Sequence, residues 1–313
     1  MPAADAILFP FMLVWTLICM LWYSLVGLIF LLIPSFLLPK KDVSNEIVLV
    51  TGGGCGFGRL FALEFTKLGS TVVIWDIDER GAQKVAKECQ ELGGKAYVFK
   101  VDVSKSEEVY RVADDVRKKV GDVTILVNNA GVVAGTPLLD TPDHLLHRTV
   151  DVNLKSFFWV TFKAFAPSIL KNGHGHFVSV ASLAGYFGLS RLAEYCASKF
   201  AVVGFEDSIF QEFELHKRKG VYSTIIHPFY MNTGMFSGVE TTQGRLPILT
   251  PEDVMAKCIT AILTNQRYVF CPANTRLSII LKSFLPPDTL RMSNELLGVN
   301  EYMKGFIGRS KDS

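Results

Sequence analysis

The sequence has no charge imbalance to speak of: 32 Lys and Arg stand against 30 Asp and Glu over 313 residues, a formal net charge of +2. That excludes the basic stripe or patch that a nucleic-acid partner requires. Metal-ligand spacing is also missing. The six cysteines (Cys19, Cys55, Cys89, Cys196, Cys258 and Cys271) form no CxxC pair, and the six histidines form no HExxH pattern, so no metal is expected. No N-x-S/T sequon occurs, and unpaired thiols point to a reduced, cytosol-facing domain. Internal repeats and low-complexity tracts are absent, and a hydrophobic content of 49% excludes intrinsic disorder.

The other absence is local. From Ile7 to Pro39 there is no charged side chain. Between Pro10 and Pro34, only Thr16, Ser24 and Gly27 interrupt 23 otherwise apolar residues. As a helix this run is about 35 Å long, against roughly 30 Å of bilayer hydrocarbon. It exceeds the apolar region of about 7–15 residues in a cleaved signal peptide, so a retained anchor is expected over residues 1–42. Lys40 and Lys41 follow the run and only Asp5 precedes it, which places the rest of the chain in the cytosol. The prolines leave open a hairpin or single-leaflet geometry, which would also suit a lipid-droplet monolayer.

Beyond the anchor, short runs rich in Val and Ile alternate with amphipathic helical patterns, the signature of a doubly wound parallel α/β sheet. Strands are expected at Ile47–Thr51, Thr71–Asp76, Ala96–Val101, Thr124–Asn128, His176–Ala181, Tyr222–His227 and Tyr268–Cys271. Ser104-Lys105-Ser106-Glu107 has capping-box spacing, and Thr250-Pro251 sets a cap before proline at a first helical position. One domain is expected over residues 43–275, followed by a tail over 276–313. The tail's Leu277, Ile279, Ile280, Leu281, Phe284 and Leu285 suit either a helix against the sheet or a partner copy, or a membrane contact helped by Lys282 and Arg291.

The first strand runs into Thr51-Gly52-Gly53-Gly54-Cys55-Gly56-Phe57-Gly58 and then a helical pattern from Leu60 to Leu68. Glycines at such a turn let the backbone approach a pyrophosphate, and the helix N-terminus attracts the anion. Asp76 ends the second strand, 24 residues after Gly52. A carboxylate there accepts hydrogen bonds from the adenosine ribose and repels a 2′-phosphate, so NAD is expected in preference to NADP.

With these motifs in order, the chain resembles the short-chain dehydrogenase/reductase family over roughly residues 45 to 275. Thr51 to Gly58 looks like its TGxxxGxG loop, with Gly52, Gly56, Phe57 and Gly58 as cofactor contacts. Asp102 and Val103 look like its adenine-contacting pair, and Asn129, Ala130 and Gly131, after Asn128, like its NNAG motif. Asn153, Ser182, Tyr195 and Lys199 fall on the family's catalytic tetrad. Thr233 keeps a position that contacts the nicotinamide carboxamide, whereas Phe229 stands where many members carry glycine. The WDI after the second strand, EYCASKF around Tyr195 and the amino-terminal anchor resemble a membrane-bound subgroup. That subgroup includes epidermal-type retinol dehydrogenases and lipid-droplet 17β-hydroxysteroid dehydrogenases.

The chemistry of the tetrad follows from residue types. Tyr195 and Lys199 share a helix face at four residues' separation. To act as a base near neutrality, a tyrosine with a pKa near 10 must drop by roughly three units, about 4 kcal/mol. An ammonium about 4 Å away at an effective dielectric near 20 supplies that much. Tyr195 then takes the hydroxyl proton, Ser182 hydrogen-bonds the substrate oxygen, and Lys199 lowers Tyr195. By resemblance, Lys199 also holds the nicotinamide ribose and Asn153 fixes a relaying water.

Leu183, Tyr186, Phe187 and Leu189, with Met235, Phe236, Val239, Leu246 and Ile248, are the expected pocket walls. Their apolar character suits a lipophilic alcohol, retinoid or steroid, drawn from the endoplasmic reticulum membrane or a lipid droplet. Phe157-Phe158-Trp159, with Phe162 and Phe165, is read as core or a homodimer face. Lys217-Arg218-Lys219 is read as a solvated helix end. The alternatives are an NADPH-dependent carbonyl reductase, against which Asp76 argues, and a non-catalytic lipid-droplet scaffold, against which the intact tetrad argues.

Overall fold

The computed structural model describes residues 3–32, 37–215, 220–241 and 247–309. The chain divides into two compact units, Met1–Lys40 and Lys41–Ser313. In the first, helix α1 (Ala3–Leu32) carries the uncharged run straight through Pro10. Its stretch Leu8–Val26 is long and apolar enough to cross a membrane by length and composition, and none of it is buried.

The second unit alternates strands and helices. The strands are β1 (Ile47–Thr51), β2 (Thr71–Asp76), β3 (Lys95–Lys100), β4 (Ile125–Asn128), β5 (Gly175–Val180), β6 (Val221–Pro228) and β7 (Tyr268–Cys271). All pair in parallel, in the order β3-β2-β1-β4-β5-β6-β7. This is the expected doubly wound sheet, with each strand's ends within a residue of the sequence expectation. The helices are α2 (Gly56–Lys67), α3 (Glu79–Glu91), α4 (Ser106–Lys119), α5 (Asp143–Val150), α6 (Ala166–Asn172), α7 (Ala193–Leu215), α8 (Pro251–Leu263), α9 (Thr275–Lys282) and α10 (Pro287–Leu297). Between α5 and α6 run two π-helical stretches, Asp151–Lys155 and Phe158–Phe165.

Strand pleating sends successive side chains to opposite faces. Val48, Val50, Val72 and Ile74 therefore pack against Phe61, Phe65 and α8, while Leu49, Val73 and Trp75 pack against α4 and α6 on the other side. Each fully buried side chain of this size contributes about 1.5–3 kcal/mol. That two-sided burial explains why these strands read as unbroken apolar runs rather than alternating ones.

Two local expectations fare differently. Thr250 does precede Pro251 at the first position of α8. The capping box at Ser104 does not form. Helix α4 starts at Ser106, and the Ser104 hydroxyl donates to Asp102 Oδ1 instead (2.6 Å), a competing Asx-type bond.

The sheet reverses direction of winding between β1 and β4, and a crevice opens there at the carboxyl ends of the strands. The loops that follow β1, β2, β4, β5 and β6 meet around it.

Candidate active site

The loop after β1 turns by left-handed backbone at Gly52 (φ +63°) and Gly56 (φ +52°), a conformation that L side chains rarely adopt. It then passes so close to itself that a Cβ on Gly58 would sit 2.0 Å from the Gly52 carbonyl oxygen. Two side chains lock this turn to the loop after β4. Thr51 Oγ1 accepts from the amides of Asn129 (3.0 Å) and Ala130 (3.1 Å). Asn129 Nδ2 donates to the carbonyls of Thr51 (3.0 Å) and Gly52 (3.2 Å). Cys55 begins α2 without a side-chain bond to any first-turn amide, so the orphan N–H groups of that turn are left for an anion.

Asp76 stands at the end of β2. Its Oδ2 accepts from the Gly54 amide (2.8 Å) and its Oδ1 from the Asp78 amide (2.9 Å). The carboxylate is thus held rigidly beside the glycine loop. Asp102 is oriented in the same way by the Ser104 amide (3.1 Å) and hydroxyl.

These residues line one cavity of about 760 Å³, which runs from Asp76 and Asp102 past Gly52, Phe57 and Gly58 to Ser182, Tyr195 and Lys199. Val103, Asn129, Ala130, Gly131 and Thr233 line it as well. Of the cofactor and catalytic residues expected from the sequence, Gly56 and Asn153 are not among those that line it. Asn153 is fully buried within a π-helical stretch. Its Oδ1 accepts from the Val132 amide (2.8 Å), and its Nδ2 donates to the Val132 carbonyl (2.9 Å) and to Ser198 Oγ (3.1 Å).

Ser182 lies just after β5 and its Oγ accepts from the Ala184 amide (3.1 Å). Burial pushes the Tyr195 hydroxyl above its ordinary range, with Ser182 acting the other way. Burial likewise draws the Lys199 ammonium down to about 8. Lys199 Nζ donates to the Val180 carbonyl (2.8 Å) and stands 5.6 Å from the Tyr195 ring centroid. Burial is thus the leading cause of the shift on both groups in this enclosed cavity.

Expected pocket walls are mostly in place. Leu183, Phe187, Leu189, Met235 and Phe236 line the cavity. Val239 lies in the adjoining buried cluster. Tyr186 instead packs on His227 (5.0 Å) and Phe270 (6.0 Å), and Ile248 is exposed and outside the lining. Leu246, His216 and Lys217-Arg218-Lys219 lie outside the described residues, as does the side chain of Phe162. Phe229, in the place of glycine, packs edge-on against Tyr230 (4.9 Å). Among the described residues no cluster of His, Cys, Asp and Glu could hold a metal.

The tail supplies what the sequence did not suggest. Tyr302 and Met303 are buried with Tyr195 and Tyr230, and Arg309 reaches the glycine loop, donating to Cys55 Sγ (2.8 Å). No periodicity marks residues 299–309. The glycines at 298, 305 and 308 were the one visible signal of a chain that bends and passes close to others.

Residues 46–244 match the family model for short chain dehydrogenases. The chain is 45% identical to human epidermal retinol dehydrogenase 2 over 293 residues, covering 93% of this chain and 94% of the relative. It is 42% identical to mouse estradiol 17-beta-dehydrogenase 11 over 277 residues, covering 88% and 91%. A short chain dehydrogenase/reductase from Burkholderia phymatum, solved in complex with NAD, superposes with a TM-score of 0.69 at 25% identity, covering 77% of this chain and 94% of that one. With the glycine loop, the Asp76 carboxylate and the Ser-Tyr-Lys cluster in one cavity, these likenesses establish an NAD(P)-dependent alcohol oxidoreductase that belongs to the short-chain dehydrogenase family.

Proposed function

We propose that the chain oxidises a lipophilic alcohol, a retinol or hydroxysteroid, to the carbonyl with NAD. The observation that carries this reading is the convergence of Ser182, Tyr195 and Lys199 on one cavity walled by Leu183, Leu189 and Phe236. Relatives named for retinol and for estradiol support the substrate class.

The residues present fit a dinucleotide. The first turn of α2 is uncapped, the Gly58 approach leaves no room for a side chain, and Asp76 is fixed beside them. When bound, an oxidised nicotinamide supplies the hydride acceptor and a positive charge. Ser182 holds the substrate oxygen against Tyr195, and Tyr195 accepts its proton. Lys199, already near 8 and bonded to Val180, passes charge and proton outward, and Asn153 orders the water that relays it. The negative charge of Asp76 favours NAD over NADP.

The exposed Leu277, Ile280 and Phe284 of the tail support a second membrane contact beside α1, on the endoplasmic reticulum or a lipid droplet, with the catalytic unit in the cytosol. The exposed Phe158 and Phe200 support a homodimer through the helices that carry them.

The test is nicotinamide reduction by detergent-solubilised protein with all-trans-retinol and with estradiol, offering NAD and NADP separately, beside Tyr195→Phe. NAD-dependent turnover that Tyr195→Phe abolishes while still binding NADH is expected. Full turnover by Tyr195→Phe would refute the assignment of the base.

A further inference from the structure

After α10 the chain folds back over the catalytic unit and is pinned there at close range. The amides of Ile307 (2.9 Å) and Gly308 (3.2 Å) donate to the Ser237 carbonyl, and the Glu240 amide donates to the Tyr302 carbonyl (3.3 Å). The strap passes Gly238 so closely that a Cβ there would lie 2.0 Å from the Gly305 carbonyl oxygen. At Gly135 a Cβ would lie 2.1 Å from the Phe306 ring. Tyr302 is completely buried. Residues 299–309 are thus held by buried apolar contact and by backbone bonds, and this fixes where their last described side chain falls.

That side chain is Arg309. Its Nη1 donates to Cys55 Sγ (2.8 Å), its Nη2 to the Thr233 carbonyl (3.4 Å), and Nη2 stands 3.1 Å from where a Cβ on Gly56 would be. It lines the same cavity as the glycine loop. Among the described residues it enters no ion pair, whereas the nearby tail cations Arg291 and Lys304 each have a carboxylate. A guanidinium offers five donors in a fixed fork. Here two of them engage a weak thiol acceptor and a long carbonyl contact, at the uncapped start of α2. An exposed cation so placed can turn its remaining donors to an anion that arrives at that helix end.

We propose that Arg309 is a cofactor-binding residue, whose guanidinium neutralises the pyrophosphate of the dinucleotide and closes the phosphate cradle from the carboxyl-terminal strap. The inference rests on the dinucleotide reading of the cavity given above. The pyrophosphate, rather than a 2′-phosphate, is the partner because Arg309 bridges Cys55 and Thr233 at the helix end, while the carboxylate of Asp76 guards the ribose side. Since Tyr302 of the same strap packs with Tyr195 and Tyr230, the strap joins cofactor retention to the substrate side of the cavity.

The experiment is equilibrium binding by full-length protein in detergent micelles, comparing wild type, Arg309→Met and Arg309→Lys. The probes are NAD, NADP, ADP-ribose and, as a competitor without phosphate, adenosine. Arg309→Met is expected to lose about tenfold or more in affinity for NAD, NADP and ADP-ribose alike. Adenosine affinity stays unchanged, Arg309→Lys recovers part of the loss, and the salt dependence of NAD binding becomes shallower. The unchanged adenosine affinity also shows that the variant is folded. Equal ADP-ribose affinity in wild type and Arg309→Met would overturn the proposal, and so would a loss confined to NADP. Failure of the wild type itself to bind ADP-ribose would instead overturn the dinucleotide reading on which it rests.

Discussion

Replacing Gly58 by alanine tests the phosphate loop at its tightest point. The added methyl would lie 2.0 Å from the Gly52 carbonyl oxygen and 2.7 Å from Asn129 Nδ2, where real Cβ contacts under 3.0 Å are essentially never found. The loop must therefore open by about 1 Å between β1 and α2. Overpacking of this kind costs about 1–3 kcal/mol, offset by about 1 kcal/mol from the better helix propensity of alanine. The net fold destabilisation is small, about 0–2 kcal/mol. Cofactor binding suffers more, because the amides that face the anion move with the loop. Losing two hydrogen bonds to a charged group, at about 1.5 kcal/mol each, lowers affinity by more than about 100-fold.

The assay is NADH titration by fluorescence beside thermal unfolding of the same samples. The matching control is Gly204→Ala in the middle of α7, an exposed position where a Cβ meets nothing within 4 Å. That variant should gain up to about 1 kcal/mol and bind NADH as wild type does. Wild-type NADH affinity in Gly58→Ala would refute the idea that this close approach shapes the anion site.

Further outcomes follow from buried and charged groups. His227 is fully buried against Phe270 (4.7 Å), and burial draws it down to about 4. The unfolded chain gains a proton near pH 6.5 that the native state declines, so stability present above that pH is lost as pH falls toward 4, by up to about 3 kcal/mol. The urea midpoint of wild type should therefore fall more steeply over that window than that of His227→Gln; parallel slopes would count against it. Asp76→Asn keeps an acceptor for the Gly54 or Asp78 amide but removes the charge. It should shift the NADP-to-NAD affinity ratio by tenfold or more, about 1.4 kcal/mol, and an unchanged ratio in the same titration would show that the carboxylate does not select the cofactor.

Much of the site could be read from the chain because the groups concerned sit where local rules act. Gly52 and Gly56 occupy left-handed positions of a strand–helix turn, and Asp76 ends an apolar strand. Ser182 follows β5, and Tyr195 and Lys199 share one turn of α7. Each is set by its own element and by the parallel order that two-sided apolar strands impose. What the chain did not disclose involves groups brought from a distance. The bond from Lys199 to Val180, the buried place of Asn153 behind Val132, and the turning of Tyr186 toward His227 depend on packing between elements rather than on spacing within one.

The apolar first helix, the seven strands and the glycine loop are therefore properties of the sequence itself, since hydrophobic periodicity and backbone permissiveness act over a few residues. Only the tertiary structure decided the ionisation of Tyr195 and Lys199, because desolvation raises the one and lowers the other once both are enclosed. It alone also decided that Arg309 meets a loop begun at Thr51. That contact spans most of the chain's length and depends on Tyr302, Phe306 and Ile307 finding their places on a surface that the rest of the fold must first build.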